Sequence, residues 1–280
     1  MSRSNPEIRL ETPCTRFFEW SGDEGGFKYF DKAREQAEKG TGKVKVPLPF
    51  TFIVLDQLAT VTGYSDSRQA GFYSNEVRKK DIKDGIFKVR SGKELVCEGN
   101  WESIKGKDAG MKFAESVYIA YIGDDKKLVI GNIKMVGSSL NAWINYVSGE
   151  RDEKGKRISE PHDPYVGAIT VESMKEGKKG KTVYQMPVFT PRSLKPETEA
   201  LVLELDKELQ AYLKDYFAKK ALEDIATESI PADPTPTPEE IEATFHAEAT
   251  PEPSAKEIAM GKQQAKSDAI QAESDLPWDL

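Results

Sequence analysis

Two segments have the glycine and lysine content of a phosphate-binding loop, in which backbone amides and a lysine cradle the phosphates of a nucleotide. In Gly40-Thr-Gly-Lys43, Ala37 stands where the leading glycine belongs and Val44 where Ser or Thr is needed. In Gly180-Lys-Thr182 the ending is right, but Lys175 replaces the leading glycine. Both read as basic loops. His162 sits in Glu-Pro-His-Asp-Pro, a turn-forming pentapeptide with no serine motif or cysteine nearby to partner it in proton transfer. Asp124-Asp125 and Asp152-Glu153 lie in turn-like stretches, where solvation accounts for the charge. Asp23-Glu24 has flanking glycines, but the spacing fits no calcium loop. Cys14, Cys97, His162 and His246 form no spaced zinc cluster. The expectation is a chain that is not an enzyme and needs no metal or cofactor.

Aromatic residues interleaved with basic ones carry more information. Arg16, Phe18 and Trp20 alternate onto one face of a strand, leaving Phe17 and Glu19 on the other. Lys28 and Phe30 oppose Phe27 and Tyr29 in the next strand. Tyr64 precedes Arg68, Phe72-Tyr73 precedes Arg78-Lys79-Lys80, and Phe87 is flanked by Lys88 and Arg90. Unpaired bases stack on aromatic rings while their phosphates attract Lys and Arg, a combination that binds single strands with little sequence preference. Phe50, Phe52 and Phe113 read as core. Trp20, Tyr29, Tyr64, Tyr73 and Trp101 are the expected stacking residues, because turns, charges or glycine adjoin each. Arg16, Lys28, Arg68, Arg78, Lys79, Lys80, Lys88 and Arg90 are the expected phosphate contacts.

The elements that must position them are mostly short strands. Hairpins are expected at 15–31, around Ser21-Gly-Asp-Glu-Gly-Gly26, and at 116–133, around Gly123-Asp-Asp125. Further strands are expected at 49–55, 58–64, 71–77, 85–90, 95–98, 166–172 and 182–189, with one short helix at 138–147. Many short strands with turn signals and an inserted helix imply a mainly β core over 15–192, a barrel or sandwich, after an N-terminal arm, 1–14. A long helix follows over 193–226, capped by Ser193, with Pro196 in its first turn. Its stripe, Ala200, Leu201, Leu205, Leu209, Tyr212, Leu213, Tyr216 and Phe217, is expected to pack on the core. A homo-oligomer through that stripe stays open.

The net charge of -7 averages two opposed parts. Residues 1–195 carry +6 and residues 196–280 carry -13. Of the 26 aromatic residues, 21 precede residue 191, while seven of the sixteen prolines follow Ala226. Such a segment has too little apolar surface to build a core, so 227–280 reads as a disordered acidic tail. It ends in Asp275-Leu-Pro-Trp-Asp-Leu280, where Leu276, Pro277, Trp278 and Leu280 can form a hydrophobic anchor for a partner, with Asp275 and Asp279 meeting a basic rim. No apolar run approaches a membrane span and residues 1–15 lack a signal-peptide core, so a cytoplasmic location is expected, with no membrane partner.

A β-rich basic core, a proline-rich acidic linker and an acidic, hydrophobic tip resemble the single-stranded DNA-binding proteins of bacteria and phages. Leu48-Pro-Phe-Thr-Phe-Ile-Val-Leu-Asp56 and Gly71-Phe-Tyr-Ser-Asn-Glu-Val77 are similar in flavour to replication-associated proteins of tailed bacteriophages. The resemblance implies an OB-fold-like barrel with inserted strands, and a role in DNA replication, recombination and repair in a bacterial host's cytoplasm. It also implies a tip that recruits a polymerase, helicase or primase and competes with DNA for the basic groove. The class usually ends in Phe after a dense Asp run, whereas here Trp278 is displaced inward from Leu280. The alternative function is a non-enzymatic phage structural or adaptor protein with a flexible acidic tail.

Overall fold

The computed structural model describes residues 11–152 and 154–228, with side chains as far as residue 220. The expected tail from 229 onward, its tip, and residues 1–10 of the expected arm lie outside the described residues.

Period-two alternation of apolar residues governs the fold. The first strands are β1 (Arg16–Trp20), β2 (Phe27–Phe30), β3 (Lys43–Lys45) and β4 (Phe50–Ser65). After them come β5 (Ala70–Ser74), β6 (Val77–Arg78), β7 (Phe87–Ser91) and β8 (Glu94–Gly99). The last four are β9 (Met111–Ile122), β10 (Leu128–Val136), β11 (Ala168–Lys179) and β12 (Thr182–Arg192). Among the described residues four α-helices are interspersed: α1 (Lys32–Ala37), α2 (Trp101–Ile104), α3 (Ser138–Ser148) and α4 (Pro196–Glu228). The strands form one sheet in the order β3-β2-β1-β10-β9-β4-β5-β7-β8, with the β11–β12 hairpin and β6 attached to β4. The chain is mainly β, as expected. This path has two ends, however, so the sheet is not closed into a barrel.

The two strands expected at 49–55 and 58–64 are one sixteen-residue strand. Its pairing with β9 shifts register between Val54 and Asp56, so Leu55 is the extra residue of a bulge. Asp56-Gln57, left between the two expected strands, therefore continues the strand. One face of the sheet packs Phe18, Phe52, Val117, Ile119 and Ile133 against Trp143 of α3. Fully buried, the Trp143 indole satisfies its N–H by donating to Gln57 Oε1 at 3.1 Å. The other face packs Ile53, Leu55, Leu58, Tyr118 and Ala120 against Leu209 and Leu213 of α4. A third cluster, Val61, Phe72, Phe87, Val89, Ile104 and Met111, fills the β5–β8 end.

The long helix begins at Pro196, beyond Ser193, with Glu199 N–H donating to Lys195 O at 3.1 Å. Leu201, expected in its stripe, is exposed, and Val202 takes the inward position. Core and helix form one compact unit as far as Glu223. Cys14, expected in the arm, is buried in the same cluster as Leu209 and Leu213. Burial pushes its thiol up to about 12, so it is an inert packing residue at neutral pH. Among the described residues no helix is long and apolar enough to cross a membrane.

Where α4 meets the sheet, the contacts turn polar. Glu76 N–H donates to Tyr216 Oη at 2.9 Å, and Gln210 Nε2 donates to Asp56 Oδ2 at 3.1 Å. The Glu76 carboxylate accepts from Tyr118 Oη at 2.7 Å. Burial nonetheless holds this carboxyl above the ordinary carboxylate range, against the hydrogen bonds of Ser116 and Tyr118 and the charge of Lys134; nearby Asp56 adds to the upward shift. As pH rises through the ordinary range near 4, the unfolded chain gives up this proton before the folded chain does, so stability falls with pH. Glu76→Gln keeps an acceptor for Tyr118 and removes that penalty. Urea denaturation should find the variant more stable than the parent at pH 8, with the gap closing toward pH 4. An equal loss of stability at both pH values would contradict this.

Candidate nucleic-acid interface

The register at the β5–β8 end of the sheet sorts side chains by face. Thr62 lies opposite Tyr73 and Lys112, and Tyr64 is two residues further on the same side of β4. Tyr73 in turn lies opposite Arg90 of β7, and Lys88 shares the Arg90 side. Met111, Phe72, Phe87 and Val89, one residue out of phase, point into the third core cluster. One outward face therefore carries Tyr64, Tyr73, Lys88, Arg90 and Lys112, and the two tyrosines are 51% and 48% exposed. Their hydroxyls are tethered at the rim: Tyr73 Oη donates to Gly92 O, and Tyr64 Oη to Gln69 Oε1 at 3.5 Å. The tethers hold the rings by their edges.

Beside Tyr64 lies a cleft of roughly 560 Å³ lined by Ser65, Asp66, Asp108 and Lys112. Its backbone is tightly closed. A Cβ on Gly63, at φ +147°, would come 1.8 Å from Gly110 O, so only glycine allows this approach. Arg68 pairs with Glu94 at 3.0 Å at the far side of the face, and Lys88 with Glu98 at 3.8 Å. Arg90 is exposed, with one guanidinium nitrogen donating to Lys93 O at 3.3 Å. Of the residues expected to touch nucleic acid, Tyr64, Tyr73, Lys88 and Arg90 are thus brought together on one face, while Arg68 lies in the β4–β5 turn and is tied to Glu94 of β8.

Others are placed elsewhere. Trp20 is in the core, 7% exposed, with Nε1 donating to Gln185 O at 2.9 Å, so it offers no free ring face. Trp101 packs on Phe113 with ring centroids 5.5 Å apart. Arg16 lies 4.2 Å over the Tyr29 ring and forms an ion pair with Asp124, so this stacking platform is already occupied. Arg78 lies 4.5 Å over Phe217 of α4, and Lys79 reaches the buried Glu115 at 3.1 Å. These cations serve the fold. Lys80 is exposed.

Lys28, paired with Glu24 at 2.6 Å, belongs to a second outward patch that the sequence reading missed. Alternation puts Phe17 and Phe30 outward where Phe18 and Tyr29 go in, leaving them 57% and 60% exposed. Phe30 lies opposite Lys43, and Lys28 opposite Lys45. The signal was present in the sequence, since Phe17 and Phe30 were already assigned to the faces bearing Glu19 and Lys28.

The two loops with phosphate-loop composition are explained by local structure. Gly40 N–H and Gly42 N–H donate to the Glu35 carboxylate at 3.0 and 2.8 Å, and these bonds hold that carboxyl below its ordinary range. The amides that would receive a phosphate are taken by the chain's own carboxylate. Gly180-Lys181 is the two-residue turn of the β11–β12 hairpin. His162 stacks on Tyr146 at 4.7 Å, a packing role. No family model, curated protein or solved structure matches this chain.

Proposed function

We propose that this chain is a non-enzymatic protein that binds and protects single-stranded DNA without strong sequence preference during replication, recombination and repair. The observation that carries the reading is the outward face on which Tyr64 and Tyr73 stand half exposed among Lys88, Arg90 and Lys112. Bases stack on the two rings, and the backbone tracks the cations. Phe17 and Phe30, with Lys28, Lys43 and Lys45, extend the same chemistry to the opposite end of the sheet.

The C-terminal part fits this role by charge. Residues 196–280 carry -13 against +6 for the rest, so the acidic segment competes with DNA for the basic face. The tip Asp275–Leu280 would recruit a polymerase, helicase or primase, its apolar residues anchoring and its acids meeting a basic rim. The resemblance of this arrangement to the single-stranded DNA-binding class supports the reading, as does its implied setting in a bacterial or phage-infected cytoplasm.

Each of Tyr64→Ala and Tyr73→Ala should weaken binding of a fluorescent oligo-dT by about 1–3 kcal/mol, the usual worth of one base–aromatic stack. Phe at either position should restore it. Alanine variants that bind like the parent would remove the stacking face. Deleting residues 229–280 should tighten oligo-dT binding most at low salt, where charge competition is least screened; unchanged or weaker binding would remove the competition.

A further inference from the structure

We infer that the distal end of the β11–β12 hairpin is an arm for duplex nucleic acid. The inference rests on the single-strand reading above and adds a second, double-stranded ligand to it. β11 is held against β4 only from Ile169 to Val171, after which a register shift marks the departure of the hairpin from the sheet. From Ser173↔Val188 to Lys179↔Thr182 its two strands pair with each other alone. Beyond Gln185, which pairs with Glu176, the ribbon runs from Gly177↔Tyr184 to the turn, on the order of 10 Å at about 3.3 Å per residue.

The arm is both stiff and basic. Its base is anchored by three bonds at one residue: Gln185 N–H donates to Gly22 O at 2.7 Å, and Gln185 O accepts from Trp20 Nε1 at 2.9 Å and Ser138 Oγ at 3.2 Å. Lys175 is tied to Glu150 at 3.2 Å. Beyond that point Tyr184 lies across Gly177, where an added Cβ would come 2.5 Å from the ring. Gly180, at φ +60°, supplies the first central residue of a tight hairpin turn. Lys178, Lys179 and Lys181 are exposed at this tip, and none has an ion-pair partner among the described residues. Glu176 is the one acid between Lys175 and Lys181.

A two-stranded ribbon fits the major groove of B-form DNA, which is about 12 Å wide. Lysines without Arg, Asn or Gln at the tip contact phosphates and read no bases, matching a duplex bound without regard to sequence. The anchoring residue Gly22 lies in the β1–β2 turn, and those two strands carry Phe17, Lys28 and Phe30 on their outward face. Trp20, whose indole holds the arm at Gln185, lies on the inward face of those strands, so the arm stands on the side of the sheet opposite that patch and is a separate contact for nucleic acid.

The test compares the full chain with its Lys178→Ala/Lys179→Ala/Lys181→Ala variant. The probes are a fluorescent oligo-dT and the same oligo-dT extended by a blunt hairpin stem. The parent should bind the stemmed probe about tenfold more tightly at low salt. The variant should lose that gain and about two to three units of salt slope, near 0.9 per phosphate contact, while keeping its oligo-dT affinity. Equal binding of both probes by the parent, or equal loss on both in the variant, would overturn the arm and leave single-strand binding intact. No binding to oligo-dT would overturn the underlying reading instead.

Discussion

Strand β4 constrains most of what surrounds it. Sixteen consecutive extended residues present two faces, and over its first half both must be covered, by α3 on one side and α4 on the other. The bulge at Leu55 adds one residue and keeps both stripes apolar across the change from Phe50-Thr-Phe-Ile-Val to Leu58-Ala-Thr-Val. Without it, a one-residue slip would turn Leu58 toward Trp143 and Gln57 toward α4. With it, Gln57 satisfies the Trp143 indole and Asp56 accepts from Gln210. The second half of β4 keeps its apolar stripe inward, in the third cluster, while Tyr64 on the other stripe faces water. The covered core and the open, aromatic face are consecutive stretches of one strand.

Much of this pattern was legible in the sequence. The alternation that split Arg16, Phe18 and Trp20 from Phe17 and Glu19 holds in the structure, as do α3 and most strand positions. Alternation separates two faces without saying which one the core takes. Trp20 is drawn inward because Gln185, far along the chain, accepts from its indole, and Phe17 is left outside as a consequence. Arg78 and Lys79 are engaged for the same kind of reason: Phe217 and Glu115 reach them only after α4 docks and β9 pairs with β4. Asp56-Gln57 fell between two expected strands because two polar residues interrupt an apolar run, and only the pairing partners reveal a bulge.

Charge and packing divide the labour. Cations near buried groups stabilise the unit: Arg16 on Tyr29, Arg78 on Phe217 and Lys79 on Glu115. Cations on the outward face and on the hairpin tip sit over little apolar surface and meet solvent. In the proposed function such cations exchange water and counterions for phosphates, an exchange that makes binding sensitive to salt. The overall charge of -7 hides this division, because residues 196–280 carry -13 and the preceding residues +6, a balance that the proposed single-strand binding requires of the core.

The most direct test of the stacking face is photocrosslinking of the full chain to an oligo-dT bearing 5-iododeoxyuridine, with adducts mapped by mass spectrometry. Base stacking on the outward face predicts adducts at Tyr64 and Tyr73, diminishing with added salt. Adducts that leave both tyrosines unmodified, or that persist unchanged at high salt, would contradict it.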